Sequence, residues 1–229
     1  MSASQPRSYA DLIWQLLDLK QGMTVLDLAC GHGRIANRLA ARGCQVAGLD
    51  SSAVFLGRAR ADADALDVSV GYVAGDMWEL PWTGRFDRIV NWFTAFGYFD
   101  DPVNRRVLGE AAQALRPGGR LALDLNNVVG WLPNLEPARV AVRDDGDMFV
   151  DRHRLDPLTG RLVVERIFIR DDRVRRVQYF VRVFTFPELQ DGLLAAGFTG
   201  ATGYGEDGQA LGAAPRGSRS WRTTTTASW

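Results

Sequence analysis

VLDLACGHGR, residues 25–34, is the stretch on which the fold turns. It takes in the end of MTVLDLA (23–29), which reads as a short buried strand, and Gly31-x-Gly33 opens it into a helix with Ile35, Leu39 and Ala40 on one face. A glycine bend at that place lets a ligand approach the backbone at the carboxyl edge of a sheet. Working outward, YADLIWQLLDL (9–19) spaces Leu12, Ile13, Leu16 and Leu17 as an amphipathic helix. On the other side CQVAGL (44–49) is a second strand ending at Asp50, and Ser51 or Ser52 caps a helix carrying Phe55, Leu56 and Ala59. VSVGYVAG (68–75) ends at Asp76, FDRIVNWF (86–93) is a fourth strand, and RLALDLN (120–126) a fifth. The helix NRRVLGEAAQALR (104–116) is expected to stop at Pro117-Gly118-Gly119. Strands alternating with helices predict an α/β fold with a doubly wound, mostly parallel sheet.

Past residue 147 the pattern changes. MFVDRHRL, RLVVERIFIR and RVRRVQYFVRVFTF are separated by DPLTG and by Asp171-Asp172, which predicts an inserted antiparallel β meander. Val177, Tyr179, Val181 and Val183 should share one of its faces. The domain reading is an N-terminal helical lid (1–22), a Rossmann-like core (23–146), the antiparallel cap (147–185), a return to the core (186–207) and a disordered tail (208–229), since no strand-like apolar run follows Gly208.

Composition narrows the chemistry. Of 229 residues 46% are hydrophobic, and 27 basic side chains face 27 acidic ones, so the bulk attraction that drives non-specific nucleic-acid binding is absent. Lys20 is the only lysine, which removes the phosphate-binding loop, Schiff-base, kinase and Tyr-x-x-x-Lys classes. Cys30, Cys44, His32 and His153 stand in no metal-ligand spacing, so no metal is expected. No apolar run approaches the roughly 20 residues of a membrane span, and the polar start is no signal peptide, so a cytoplasmic protein without membrane partner is expected. A bound organic cofactor should carry the reaction.

Three strand ends supply candidate ligands. The Gly31 bend sits at the first; Asp50, 19 residues on, can accept from both hydroxyls of a ribose; Asp76 can accept from an adenine amino group while the Met77 N–H donates to a ring nitrogen. Asp50 as a plain helix cap and Asp76 as a plain turn former are the alternatives. An NAD-dependent oxidoreductase could use the same ribose logic, and so could a cofactor-binding protein without turnover.

Together, DLACGHGR, GLD (48–50), GDMWELPW (75–82), FDRIVNWFTAFGYF and LRPGGRLALDLNN resemble the motifs of class I S-adenosylmethionine-dependent methyltransferases over residues 23–127. The cap is similar to those of small-molecule N- and O-methyltransferases of the amino-sugar and natural-product kind. The resemblance implies S-adenosylmethionine as cofactor and a small-molecule methyl acceptor, with S-adenosylhomocysteine as product and a monomer or homodimer. It implies that Asp27, Ala29, Gly31 and Gly33 line the methionyl part, Asp50 with Ser51 the ribose and Asp76 with Met77 the adenine. Asn91 would face the sulfonium and Tyr9 close over the methionyl end. Trp92, Phe93, Phe96 and Tyr98, just after strand four, would wall the acceptor pocket, with packing of the sheet as the plainer reading. His153 is the candidate general base, against a surface histidine among arginines. The sequence departs from the family at LGAAPRGSRSWRTTTTASW (211–229), from which we expect a sheet without a well-formed seventh strand.

Overall fold

In the computed structural model the described residues are 8–143, 146–171, 173–205, 207–211 and 222–228. Helix α1 (Tyr9–Leu16) starts at a reciprocal cap in which the Ser8 side chain accepts from the Asp11 N–H and Asp11 accepts from the Ser8 N–H. It buries Ala10, Leu12, Ile13 and Leu16. Strand β1 (Thr24–Leu28) is followed by α2 (Ala36–Ala40), β2 (Gln45–Asp50), α3 (Ala53–Ala65), β3 (Val70–Ala74) and β4 (Phe86–Asn91). Helix α4 (Asp101–Ala114) leads into β5 (Leu115–Asn126). The helix stops two residues earlier than expected, because Leu115 is already extended and pairs with Phe86. Pro117-Gly118-Gly119 therefore lies within β5, where the register against β4 shifts between Phe86 and Arg88.

A short helix α5 (Val128–Trp131) and a 3-10 turn (Leu132–Asn134) lead to a four-stranded antiparallel sheet, β6 (Ala138–Val142), β7 (Met148–Asp156), β8 (Arg161–Arg170) and β9 (Arg173–Arg182), in that order. The chain then returns through α6 (Phe186–Ala195), β10 (Gly200–Tyr204) and β11 (Arg222–Ser228). The main sheet runs β10-β11-β5-β4-β1-β2-β3, with parallel pairing from β5 to β3. Two apolar clusters sandwich it: Leu26, Ile89, Leu108 and Leu121 belong to one, Ile13, Val25, Leu39 and Leu56 to the other.

Two expectations are corrected here. The cap begins before residue 147, since β6 pairs with β7 across Ala138↔Arg152 to Val142↔Met148. The seventh strand does form: β11 is antiparallel to β10 on one side and to β5 on the other, from Arg222↔Asn126 to Ser228↔Arg120. Its run of threonines is polar yet β-branched, and β-branching favours the extended backbone whatever the polarity. Residues 212–221 of the expected tail, and 1–7 of the expected lid, lie outside the described residues, as does Asp172 of the turn Asp171-Asp172.

One face of the cap is covered by the segment that leads into it. Leu162, Val164 and Val183 form a buried cluster with Val128, Trp131, Leu135, Leu155 and Tyr179 around them. Because side chains alternate, Tyr179 and Val181 of β9 share that face with Val164 and Leu162 of β8, as the alternation in the sequence predicts. In the DPLTG turn Asp156 accepts from the Leu158 N–H at 3.0 Å and the Thr159 hydroxyl at 2.7 Å, which fixes the β7–β8 reversal.

Candidate active site

The backbone after β1 is left-handed at Ala29 (φ 59°), Gly31 (φ 54°) and Gly33 (φ 78°), a path that folds three residues back over the strand end. The two glycines serve different ends. A Cβ on Gly31 would meet nothing within 4 Å, so that position faces open space. A Cβ on Gly33 would lie 2.2 Å from the Tyr72 hydroxyl, which itself donates to Asn37 Oδ1 at 2.6 Å. Gly33 is thus required by packing, and it is not among the cavity walls.

Asp50, at the end of β2, clamps this loop: Oδ2 accepts from the Gly31 N–H and Oδ1 from the Ser52 N–H, both at 2.8 Å. Each carboxylate oxygen keeps a second lone pair, so the clamp leaves room for ligand hydroxyls. Asp27, 2% exposed, accepts from the Ala36 N–H at 3.0 Å. Burial pushes its carboxyl up to about 7; the Ala36 N–H opposes this and the nearby Asp50 charge adds to it. Burial, with Asp27 and Asp50 close by, raises the Cys30 thiol far above its ordinary range, so it stays protonated.

Asp27, Ala29, Gly31, Asp50 and Ser51 line one side of a cavity of about 510 Å³; Trp92, Phe93, Thr94 and Tyr98 line the other. Phe93 (φ 59°) and Thr94 (φ 57°) are consecutive left-handed residues without a glycine. Each such residue costs on the order of 1–2 kcal/mol, so something must hold them. That something is Asp124 on β5: its Oδ2 accepts from the Phe93 N–H at 3.0 Å and its carbonyl from the Thr94 N–H at 3.1 Å. The Phe93 ring is gripped by Arg34, 4.0 Å over its face, and by the edge of Tyr9 with centroids 5.0 Å apart. Tyr9 thereby reaches the site through Phe93.

Other expected residues are placed elsewhere. Asn91 is 1% exposed, its Nδ2 donating to the Leu28 carbonyl at 2.9 Å and its Oδ1 buried without a partner, so it ties β4 to β1 and is not a cavity wall. Phe96 is 1% exposed in the core, its ring 5.4 Å from that of Phe184. Asp76 makes a turn in which its carbonyl accepts from the Glu79 N–H at 3.1 Å, and Met77 packs beside Trp78 on the core. His153 sits on β7 with Nδ1 2.9 Å from the Glu136 carbonyl, pinning the approach to β6; the imidazole lining the cavity is that of His32.

Sequence reasoning passed over Arg34, Phe55, Thr94 and Asp124. Phe55 carried a signal: α3 buries Leu56, Ala59 and Ala63, and Phe55 lies off that stripe, half exposed at the cavity. Asp124 carried one too, as a lone acid in the apolar run RLALDLN.

The family model for a methyltransferase domain matches residues 25–119. A demethylmenaquinone methyltransferase of Thermus thermophilus is 36% identical over 122 residues, covering 50% of this chain and 54% of that protein. The chain spans about half the length of the curated relatives it matches. A solved S-adenosylmethionine-dependent methyltransferase from Clostridium acetobutylicum superposes with a TM-score of 0.79 at 16% identity, over 96% of this chain and 90% of that one. S-adenosylmethionine-bound CalS10, an amino pentose methyltransferase from Micromonospora echinaspora, gives 0.68 at 22% identity over 96% and 87%. Residues 25–119 thus match the model of a methyltransferase domain, and the chain has the Rossmann-like fold of solved S-adenosylmethionine-dependent methyltransferases.

Proposed function

We propose that this chain transfers the methyl group of S-adenosylmethionine to a nitrogen or oxygen of a small molecule. The observation that carries the reading is the Asp50 clamp on a glycine bend, opening onto a cavity whose far wall is aromatic. The residues fit the cofactor. Gly31 leaves its outer side open, Asp50 keeps lone pairs for two ribose hydroxyls, and Asp27 with Ala29 borders the space a methionyl group needs. Asp76 and Met77, just beyond β3, take the adenine in this reading.

When bound, the cofactor supplies a methyl on a sulfonium, ready for in-line displacement. The chain supplies alignment and dryness. Trp92, Phe93 and Tyr98 exclude water from the far wall, and the pinned pair Phe93-Thr94 fixes where that wall stands. An amine arriving unprotonated needs no more. For a hydroxyl acceptor the imidazole at the cavity is His32, in place of His153. The structural likeness to an amino pentose methyltransferase puts amino sugars on the acceptor panel.

Calorimetry with S-adenosylhomocysteine and with NAD tests the cofactor. Binding of the former only is expected, weakened at least tenfold in Asp50→Ala; binding of NAD alone would overturn the reading. Release of S-adenosylhomocysteine with any member of an amine and phenol panel tests turnover.

A further inference from the structure

Among the residues that line the cavity, Tyr98 meets the cap. Its ring lies stacked, 6.1 Å and 27° from that of Tyr179 on the core-facing side of the cap. On the same face, opposite one another in register, stand Arg166 of β8 and Asp151 of β7. Asp151 is 6% exposed and takes Arg166 Nε and Nη2 in a two-pronged bond, each prong 2.6 Å. The guanidinium is also boxed by rings, 4.9 Å from Phe149 and 5.9 Å from Tyr179. An arginine held this way cannot swing, and among the described residues its third nitrogen, Nη1, has no hydrogen-bond partner. Among the same residues the hydroxyls of Tyr98 and Tyr179 have none either.

Those three idle groups share one property. A guanidinium N–H and two phenol O–H groups are all donors, gathered beside the mouth of the cavity. Burial and the facing phenol raise the Tyr98 hydroxyl, which keeps it protonated and donating. Asp151 cancels the Arg166 charge only in part of its surroundings, since Arg139 stands opposite Asp151 on β6. The local balance is one positive charge in excess, which suits a single negative charge better than two.

Resting on the methyl-transfer reading above, we propose that Arg166, with Tyr98 and Tyr179, binds a carboxylate on the methyl acceptor. Asp151 is a positioning residue: it spends two arginine N–H groups to aim the third. The acceptor class is therefore a small amine or phenol that bears a carboxylic acid.

The test uses the protein saturated with S-adenosylhomocysteine and a panel of aromatic and aliphatic amino and hydroxy acids, each with its methyl ester and its phosphate-bearing analogue. Binding is followed by calorimetry. At least one acid is expected to bind tenfold or more tighter than its ester, since a hydrogen bond to a charged group is worth roughly that much. In the pair Arg166→Gln with Asp151→Asn, which leaves no orphaned buried charge, the preference should shrink below about threefold while S-adenosylhomocysteine affinity holds within twofold. Tyr179→Phe should lose part of the preference without unfolding. Acids and esters binding alike, no panel member binding, a preference that survives the double substitution, or phosphates outbinding carboxylates would each overturn the proposal. Failure of S-adenosylhomocysteine itself to bind would instead remove the methyl-transfer reading on which it stands.

Discussion

Asp27 shows how much a single carboxyl can decide. Its unfolded pKa is the ordinary 3.8 and its folded value is raised to about 7 by burial, so the folded chain holds a proton that the unfolded chain has released between those values. Stability from this group is present in full below about pH 4 and is lost as pH rises through 7. Asp27→Asn should therefore gain on the wild type between pH 4 and 7, checked by urea unfolding across that range. Asp124 makes the opposite case, an acid retained because two strained neighbours need its oxygens. Asp124→Ala should destabilise by about 1–3 kcal/mol and Asp124→Asn by less, because an amide oxygen can still accept from Phe93; thermal unfolding reads both. At this scale the acids at strand ends were legible as neighbours of one cavity, Asp50 from its position and Asp27 through the family resemblance. Asn91 and Phe96 were not, because the same strand-end placement suits a buried clasp or a core ring, and only packing distinguishes them.

Elements that alternate apolar and polar residues, or that bury one stripe, were legible in kind, although the end of α4 and the start of β5 were not. Those missed share a physical cause. Strand β6 is five residues with Val140 and Val142 largely exposed, so it has no buried face to announce it. Strand β11 lies between two partners, and its backbone pairing supplies what an apolar pattern supplies elsewhere. Proline at Thr225, paired across to Leu123 and Gly203, removes a donor from an interior strand and should lower the melting temperature by several degrees. Valine at the same position, which keeps the backbone donor and the branched side chain, is the control.

At the scale of the whole molecule, Arg182 is one of the places where cap and core meet. Its N–H donates to the Gly97 carbonyl at 2.7 Å, while its guanidinium reaches Asp101 at 3.3 Å and Glu188 at 2.8 Å. Burial would raise the Glu188 carboxyl, but Arg182 and Thr185 outweigh it and lower it to about 2. That contribution is present above the ordinary carboxylate pKa and lost as pH falls through 2, so Arg182→Ala should move acid unfolding to higher pH, followed by circular dichroism. Residues 127–185, which leave the core after β5 and rejoin it at α6, form a sheet with its own ladder. The Asp50 loop and the Asp151–Arg166 pair of the cap thus belong to separable stretches of chain. Grafting this excursion onto a relative with the same core, Tyr98 included, should carry the proposed preference for an acid across while leaving S-adenosylhomocysteine affinity with the host, so a new specificity can arise by exchange of one continuous segment.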